Sequence, residues 1–266
     1  MGSNWNPGEI FMKRKVSIAL VVTLLPALLL YLWKLTYSFS DWAVIWVFLL
    51  AAMIFRGNWS IVTDHWRAKR GIVLRPGSWI SLWFTGRIGA FLSSALLVMA
   101  LIPALAWSAL TMPVLEAIVF LALAFASAWL FLWAQSFLAW HVMPPFDKIF
   151  AMGPSAWLIG LPFSIILFLV TWYTTTVPVE MFTASFPEAM RSGMRELPER
   201  RGWIAEILAF GNAYEVAKVF LVVQMREYPL VAFLSNLDMA LFGFLAARAS
   251  VVITHLVETH YDGKAE

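Results

Sequence analysis

Three stretches of the chain, 88–115, 117–146 and 149–179, contain no Asp, Glu, Lys or Arg. Each is longer than the ~20 residues that cross a hydrocarbon core of about 30 Å. Inside lipid every backbone N–H and C=O must be bonded within the structure, so runs this long become helices. The alternating strands of about ten residues that mark a membrane barrel are missing. The pattern predicts an all-α, polytopic transmembrane bundle of about six or seven spans.

The same pattern divides the chain. Residues 1–15 are a polar lead ending in Lys13, Arg14 and Lys15, and 16–55 hold two spans, Val16–Trp33 and Trp42–Phe55. The basic start and apolar run of the first resemble a secretory signal. Trp33 and Lys34 follow it directly, and the nearest small-x-small triplet is Ser38-Phe39-Ser40, so it reads as a retained anchor. A basic loop is expected over 56–78. Three long apolar spans fill 79–172: one from Trp79 or Gly86 to about Leu110 with a kink at Pro103, one over Val114–Trp140, and one over Ser155–Trp172. The short Thr111–Pro113 connection makes the first two an antiparallel hairpin. His141–Pro154 reads as a tight loop. Residues 173–202 form a second polar segment, where Pro187–Glu196 fits a short surface helix with Pro in its first turn. Two polar-containing helices, Trp203–Met225 and Leu230–His255, occupy 203–257, and 258–266 form a short tail. If Trp203–Met225 lies in the membrane surface instead of crossing it, six spans remain.

Composition agrees with this division. The chain is 61% hydrophobic and 13% charged, with a mean hydropathy of +0.77. A soluble domain carries roughly 25% charged residues. The net charge of +3 is modest, and no nucleic-acid-binding motif accompanies it. The lack of cysteine excludes disulfides and thiolate chemistry. Orientation follows from Lys and Arg. Lys13, Arg14, Lys15, Arg56, Arg67, Lys69, Arg70, Arg75, Lys148 and Arg226 gather on one predicted side, against Lys34, Arg191, Arg195, Arg200, Arg201 and Lys264 on the other. This bias predicts a cytoplasmic N-terminus. Absent cysteine and short loops fit a bacterial inner membrane.

Polar groups within the last two helices are the main functional candidates. Glu215 and Lys218 stand at i, i+3 and can pair. Glu206 lies more than a turn away, and Asp238 is about 15 Å along the last helix from Arg248. They either line an ion or proton path or fix packing between helices, and packing is the more ordinary role. The basic set Arg56, Arg67, Lys69, Arg70 and Arg75 suits anionic lipid headgroups or a partner, although enforcing topology would alone account for the charge. Asn58-Trp59-Ser60 matches a glycosylation sequon on the predicted cytoplasmic side, where it would go unused. Gly86, Ala90 and Ser94, and then Gly243 and Ala247, place small residues on single helix faces and suit close packing. His255, Glu258, His260 and Asp262 match no metal-site spacing, so no metal or cofactor is expected.

No P-loop, nucleophile elbow or zinc-protease signature is present. Two functions from different classes follow. The first is a non-catalytic membrane subunit of a multiprotein assembly of the secretion, transfer or envelope type, with membrane lipids, other subunits or a second copy as partners. The alternative is a small ion- or proton-coupled transporter or channel. A lipid-modifying enzyme is a third, weaker reading.

Overall fold

A computed structural model of the chain describes residues 7–73, 86–143, 146–174, 185–193, 202–225, 227–228, 230–231 and 237–262. The described elements are all helical: α1 (Pro7–Tyr37), a single 3-10 turn (Asp41–Ala43), α2 (Val44–Val73), α3 (Arg87–Thr111), α4 (Val114–Leu138), α5 (Phe146–Thr174), α6 (Phe186–Gly193), α7 (Trp203–Gln224) and α8 (Leu237–Asp262). Six of them, α1 to α5 and α8, are long and apolar enough to cross a membrane. The chain is an integral membrane protein of the helical-bundle class.

The bundle is built around α8. It packs on all five other spans. Of its apolar window 56% is buried, against no more than 33% for any other span. Small residues allow this. A Cβ on Gly57 of α2 would stand 2.7 Å from the Val252 carbonyl oxygen of α8, and one on Gly160 of α5 would stand 2.9 Å from the Phe244 ring. Around α8, α2 and α3 run antiparallel in one register. Trp66 lies under Gly86, and Asn58 donates from Nδ2 to Ser94 Oγ at 3.0 Å, each pair eight residues further along both helices. Hydroxyls inside the bundle mostly donate to carbonyls four residues back, as Thr23, Ser94, Ser164, Ser250 and Thr254 do, so they enter lipid satisfied.

Two expected boundaries are corrected. The basic segment does not leave the membrane helix at Phe55, because α2 continues to Val73. Arg and Lys are good helix formers and suit the C-terminal end of the helix dipole. Inward positions also continue, with Asn58, Ile61 and Thr63 buried and Phe55, Trp59 and Phe91 packed as an aromatic group. Likewise α5 begins at Phe146 and passes through Pro154 and Pro162. A proline inside a membrane helix forfeits one backbone bond, which neighbouring helices and hydroxyls make up.

The remaining expectations fare variously. Pro103 lies inside α3 without ending it, and the α3–α4 connection is the tight antiparallel turn the sequence suggests. The short surface helix is α6, Phe186–Gly193. Met194 and Leu197, expected on its apolar stripe, lie outside the described residues.

The path of α7 fixes the number of crossings. Gly202, at its start, lies against Asp41 in the turn between α1 and α2. Ile204 and Leu208 pack with Trp33, Tyr37, Ala43, Val47 and Ala106, all within a few turns of the same end of the bundle. Sixteen residues after Gly202, Lys218 bonds to Asp238 in the first turn of α8. Phe242, one turn further on, stacks with Phe120 of α4, so Asp238 also sits near that end. A helix standing upright would have moved about 24 Å in depth over that length. Hence α7 lies across the end of the bundle (the far face), and six spans remain. The C-terminal end of α8 returns to the near face, where Glu258 lies 3.8 Å from Lys148 and within electrostatic reach of Lys15.

Candidate functional site

The far face joins three of the sequence-selected charges. Lys218 Nζ donates to Glu215 Oε1 at 2.9 Å and to Asp238 Oδ2 at 2.7 Å. The i, i+3 spacing on α7 supplies the first partner, and α8 brings the second from another helix. The other Asp238 oxygen accepts from the Met239 backbone N–H at 2.9 Å. Burial lifts the Glu215 carboxyl above its ordinary range although Lys218 pulls it down. Burial alone would lower the Lys218 ammonium, but the carboxylates of Glu215 and Asp238 outweigh it and raise the group. Lys218 thus holds its proton between two acids. The geometry is that of a clamp between α7 and α8.

Glu206 stands apart in the exposed first turn of α7. Asp41 lies against the Gly202 N-cap, so two carboxylates occupy the end of α7 where the helix dipole favours negative charge. Below α7, the short α6 packs Ala189 on Val216 and Phe186 on Phe220. Glu188 makes the return half of a capping box: Ser185 donates to its carboxylate from the backbone N–H at 2.9 Å and also from the hydroxyl at 2.7 Å. These bonds hold the Glu188 carboxyl below its ordinary range. The Ser185-Phe186-Pro187-Glu188 spacing carried that signal, which the sequence reading missed.

Arg248 is not part of the clamp. It lies midway along α8, half-buried, and its Nε is enclosed without an acceptor. The basic set of α2 is dispersed. Arg56 sits well inside the candidate span Asp41–Lys69. It lines a cleft of about 360 Å³ with Val21, Leu256, Val257, His260 and Tyr261. Arg67 and Lys69 are exposed toward the end of α2, with Arg67 3.4 Å from Asp64. Arg70 belongs to the same helix, and Arg75 lies outside the described residues.

The small residues are at helix contacts. Gly86 has a φ of +69° and caps α3 against Trp66, where a side chain would collide with the Trp66 Cβ. Ala90 and Ser94 are fully buried, and Gly243 and Ala247 face Ser164 and Gly160 of α5. Asn58, the sequon asparagine, is fully buried against Ser93 and Ser94, out of reach of any glycosylating enzyme in the folded chain. At the near end His255 is buried, Glu258 turns toward Lys148, and His260 is exposed. Among the described residues no three potential metal ligands converge.

Sequence reasoning missed Trp33, which is buried and donates from its indole Nε1 to the Ala106 carbonyl at 2.9 Å, joining α1 to α3. It also missed Gly57. Neither carries a pattern in the sequence, because each is defined by the opposite helix.

Comparison with known proteins gives no match: no family model fits the chain, and no curated protein and no solved structure is significantly similar to it.

Proposed function

We propose that this chain is a non-catalytic integral membrane subunit of a multiprotein assembly, of the kind found in secretion, transfer or envelope machinery. The observation that carries the reading is the Lys218 clamp. The charges most suggestive of a transport path are consumed in fastening α7 to α8 at the rim of the bundle, a structural use of charge at a helix contact. The fastened helix then presents a second apolar stripe away from the bundle: Trp203, Ile207, Phe210, Tyr214 and Leu221 are all exposed. An exposed apolar stripe of this length calls for cover, and a partner together with lipid supplies it.

The placement that goes with this reading is a bacterial inner membrane with the N-terminus cytoplasmic. The Lys and Arg bias of the N-terminal half supports it. Arg67 and Lys69, exposed toward the end of α2, then face anionic headgroups or a cytoplasmic partner, and Arg70 and Arg75 extend the basic run in the sequence.

The test is mild-detergent purification of a tagged chain from its native host, followed by mass spectrometry. Stoichiometric co-purifying membrane proteins are the expected result. A clean monomer or homo-oligomer that moves an ion across liposomes, and loses that flux in Glu215→Gln or Asp238→Asn, overturns this reading in favour of a transporter.

A further inference from the structure

Among the described residues, Arg248 is a charged group at mid-membrane depth that the fold leaves without a partner. It is eleven residues from the start of α8 and fourteen from its end, or about 16 Å and 21 Å along the axis. Neither membrane surface is within easy reach of its side chain, so simple snorkelling does not settle it. Its Nε is enclosed without an acceptor, and no carboxylate among the described residues pairs with it.

Its neighbours on the helix show which way it faces. Four residues before it, Phe244 packs on Trp157 and Gly160 of α5. Four residues after it, Val252 meets Gly57 of α2. Positions four apart share a stripe of a helix, so Arg248 emerges in the seam between α2 and α5. The contacts above and below close that seam, and Arg248, half-buried, keeps part of its surface open between them. Two large apolar side chains flank the opening, with Trp157 58% exposed and Leu241 59% exposed.

An arginine at mid-depth is costly and calls for an anion. A phospholipid phosphate stays at the interface, which excludes it as the direct partner. A second copy of this chain is also a poor donor. Among the described residues its carboxylates lie toward the far face (Asp41, Glu116, Glu206, Glu215, Asp238, and Glu227 just after α7), toward the near face (Glu9, Asp64, Asp147, Glu258, Asp262) or on α6 (Glu188), and none lies at the depth of Arg248. A carboxylate at the centre of another protein's membrane helix meets the requirement.

We propose that the seam between α2 and α5 is the docking site of a transmembrane helix from a different protein, and that an Asp or Glu at mid-membrane depth on that helix pairs with Arg248. The apolar rim of Trp157 and Leu241 packs along the incoming helix, and the guanidinium supplies specificity by rejecting any helix without the acid. This inference rests on the reading of the chain as an assembly subunit.

The test compares wild type with Arg248→Leu and Arg248→Lys, each purified in mild detergent from the native host, and adds a photo-crosslinking residue at position 241. The expected result has three parts. Arg248→Leu retains about a hundredfold less of one membrane partner, while the isolated variant chain unfolds at a temperature no lower than wild type. Arg248→Lys keeps an intermediate amount. The position 241 crosslink falls on a membrane helix with an Asp or Glu at its centre, and neutralising that acid reproduces the loss. If wild type brings down no partner, both the subunit reading and this inference fall. If wild type and Arg248→Leu bring down the same partner equally, the subunit reading survives and the inference falls. A crosslink to lipid alone, or to a second copy of the chain, overturns it as well.

Discussion

Lys218 and Asp238, twenty positions apart in the chain, meet at 2.7 Å and thereby fasten a helix lying on the bundle to the helix at its centre. Lys218 is well covered, whereas Asp238 keeps 34% of its side chain exposed, so solvent screens part of the attraction. Replacing Lys218 by Met is expected to cost about 2 kcal/mol and to make α7 a site of early proteolysis. Adding Asp238→Leu to Lys218→Met should recover part of the loss, because it removes one of the two carboxylates that Lys218 neutralised and leaves only Glu215 unpaired. Denaturation of the two single variants and the double variant measures the coupling. Independent, additive effects would show that the pair does not hold α7 in place.

The course of α7 along the far face predicts a labelling pattern. The chain contains no cysteine, so single-cysteine variants report cleanly. Arg191→Cys and Glu227→Cys flank α7, and both should react with a membrane-impermeant maleimide from the side on which Phe39→Cys reacts. Trp140→Cys should react from the opposite side. Labelling of positions 191 and 227 from opposite sides would mean that α7 crosses the membrane.

Close approach of α2 to α8 depends on Gly57. A methyl group there would stand 2.7 Å from both the Val252 carbonyl oxygen and a Val252 methyl, and a backbone atom cannot give way as a side-chain tip can. Gly57→Ala should destabilise the bundle by about 1–3 kcal/mol. Gly153→Ala is the control, because nothing lies within 4 Å of its added carbon. Thermal unfolding in detergent distinguishes the two, and equal stability would refute the packing argument.

The α6 cap predicts a pH response. Bonds from Ser185 depress the Glu188 carboxyl below the ordinary value of 4.5. A group whose folded value is depressed stabilises the fold above its unfolded value, and that contribution fades as pH falls through the folded one. Hydrogen exchange over residues 185–193 should therefore quicken, after correction for the intrinsic rate, as pH drops below 4.5, and Glu188→Gln should remove most of that change. An unchanged profile in the variant would assign the effect elsewhere.

The class of fold was legible because three charge-free runs leave a chain in lipid little choice but helix. The pairing of Glu215 with Lys218 was legible for a similarly local reason, their spacing of three. Asp238 was not, since its meeting with Lys218 depends on α7 turning flat and on the rotation of α8. The loop expected over 56–78 gives way to helix as far as Val73, because residues that carry positive charge are also good helix formers. The inward positions Ile54, Asn58 and Ile61 keep helical spacing into that segment. Arg248 was singled out beside Asp238, yet only the packed bundle separates one that is answered from one that is not. No sequence pattern marked Trp33 or Gly57, whose importance lies in the helix each faces.

The central position of α8 also bears on how the molecule is made. It is the last of the six spans to leave a ribosome, and the other five pack around it. Until it arrives, Gly57 and Gly160 have nothing to close on, and the earlier helices enter the bilayer as a ring without its post. Closure of these six spans is therefore timed by translation of α8. A nascent chain arrested before residue 237 should remain open to quality-control proteases, however well its first five helices insert.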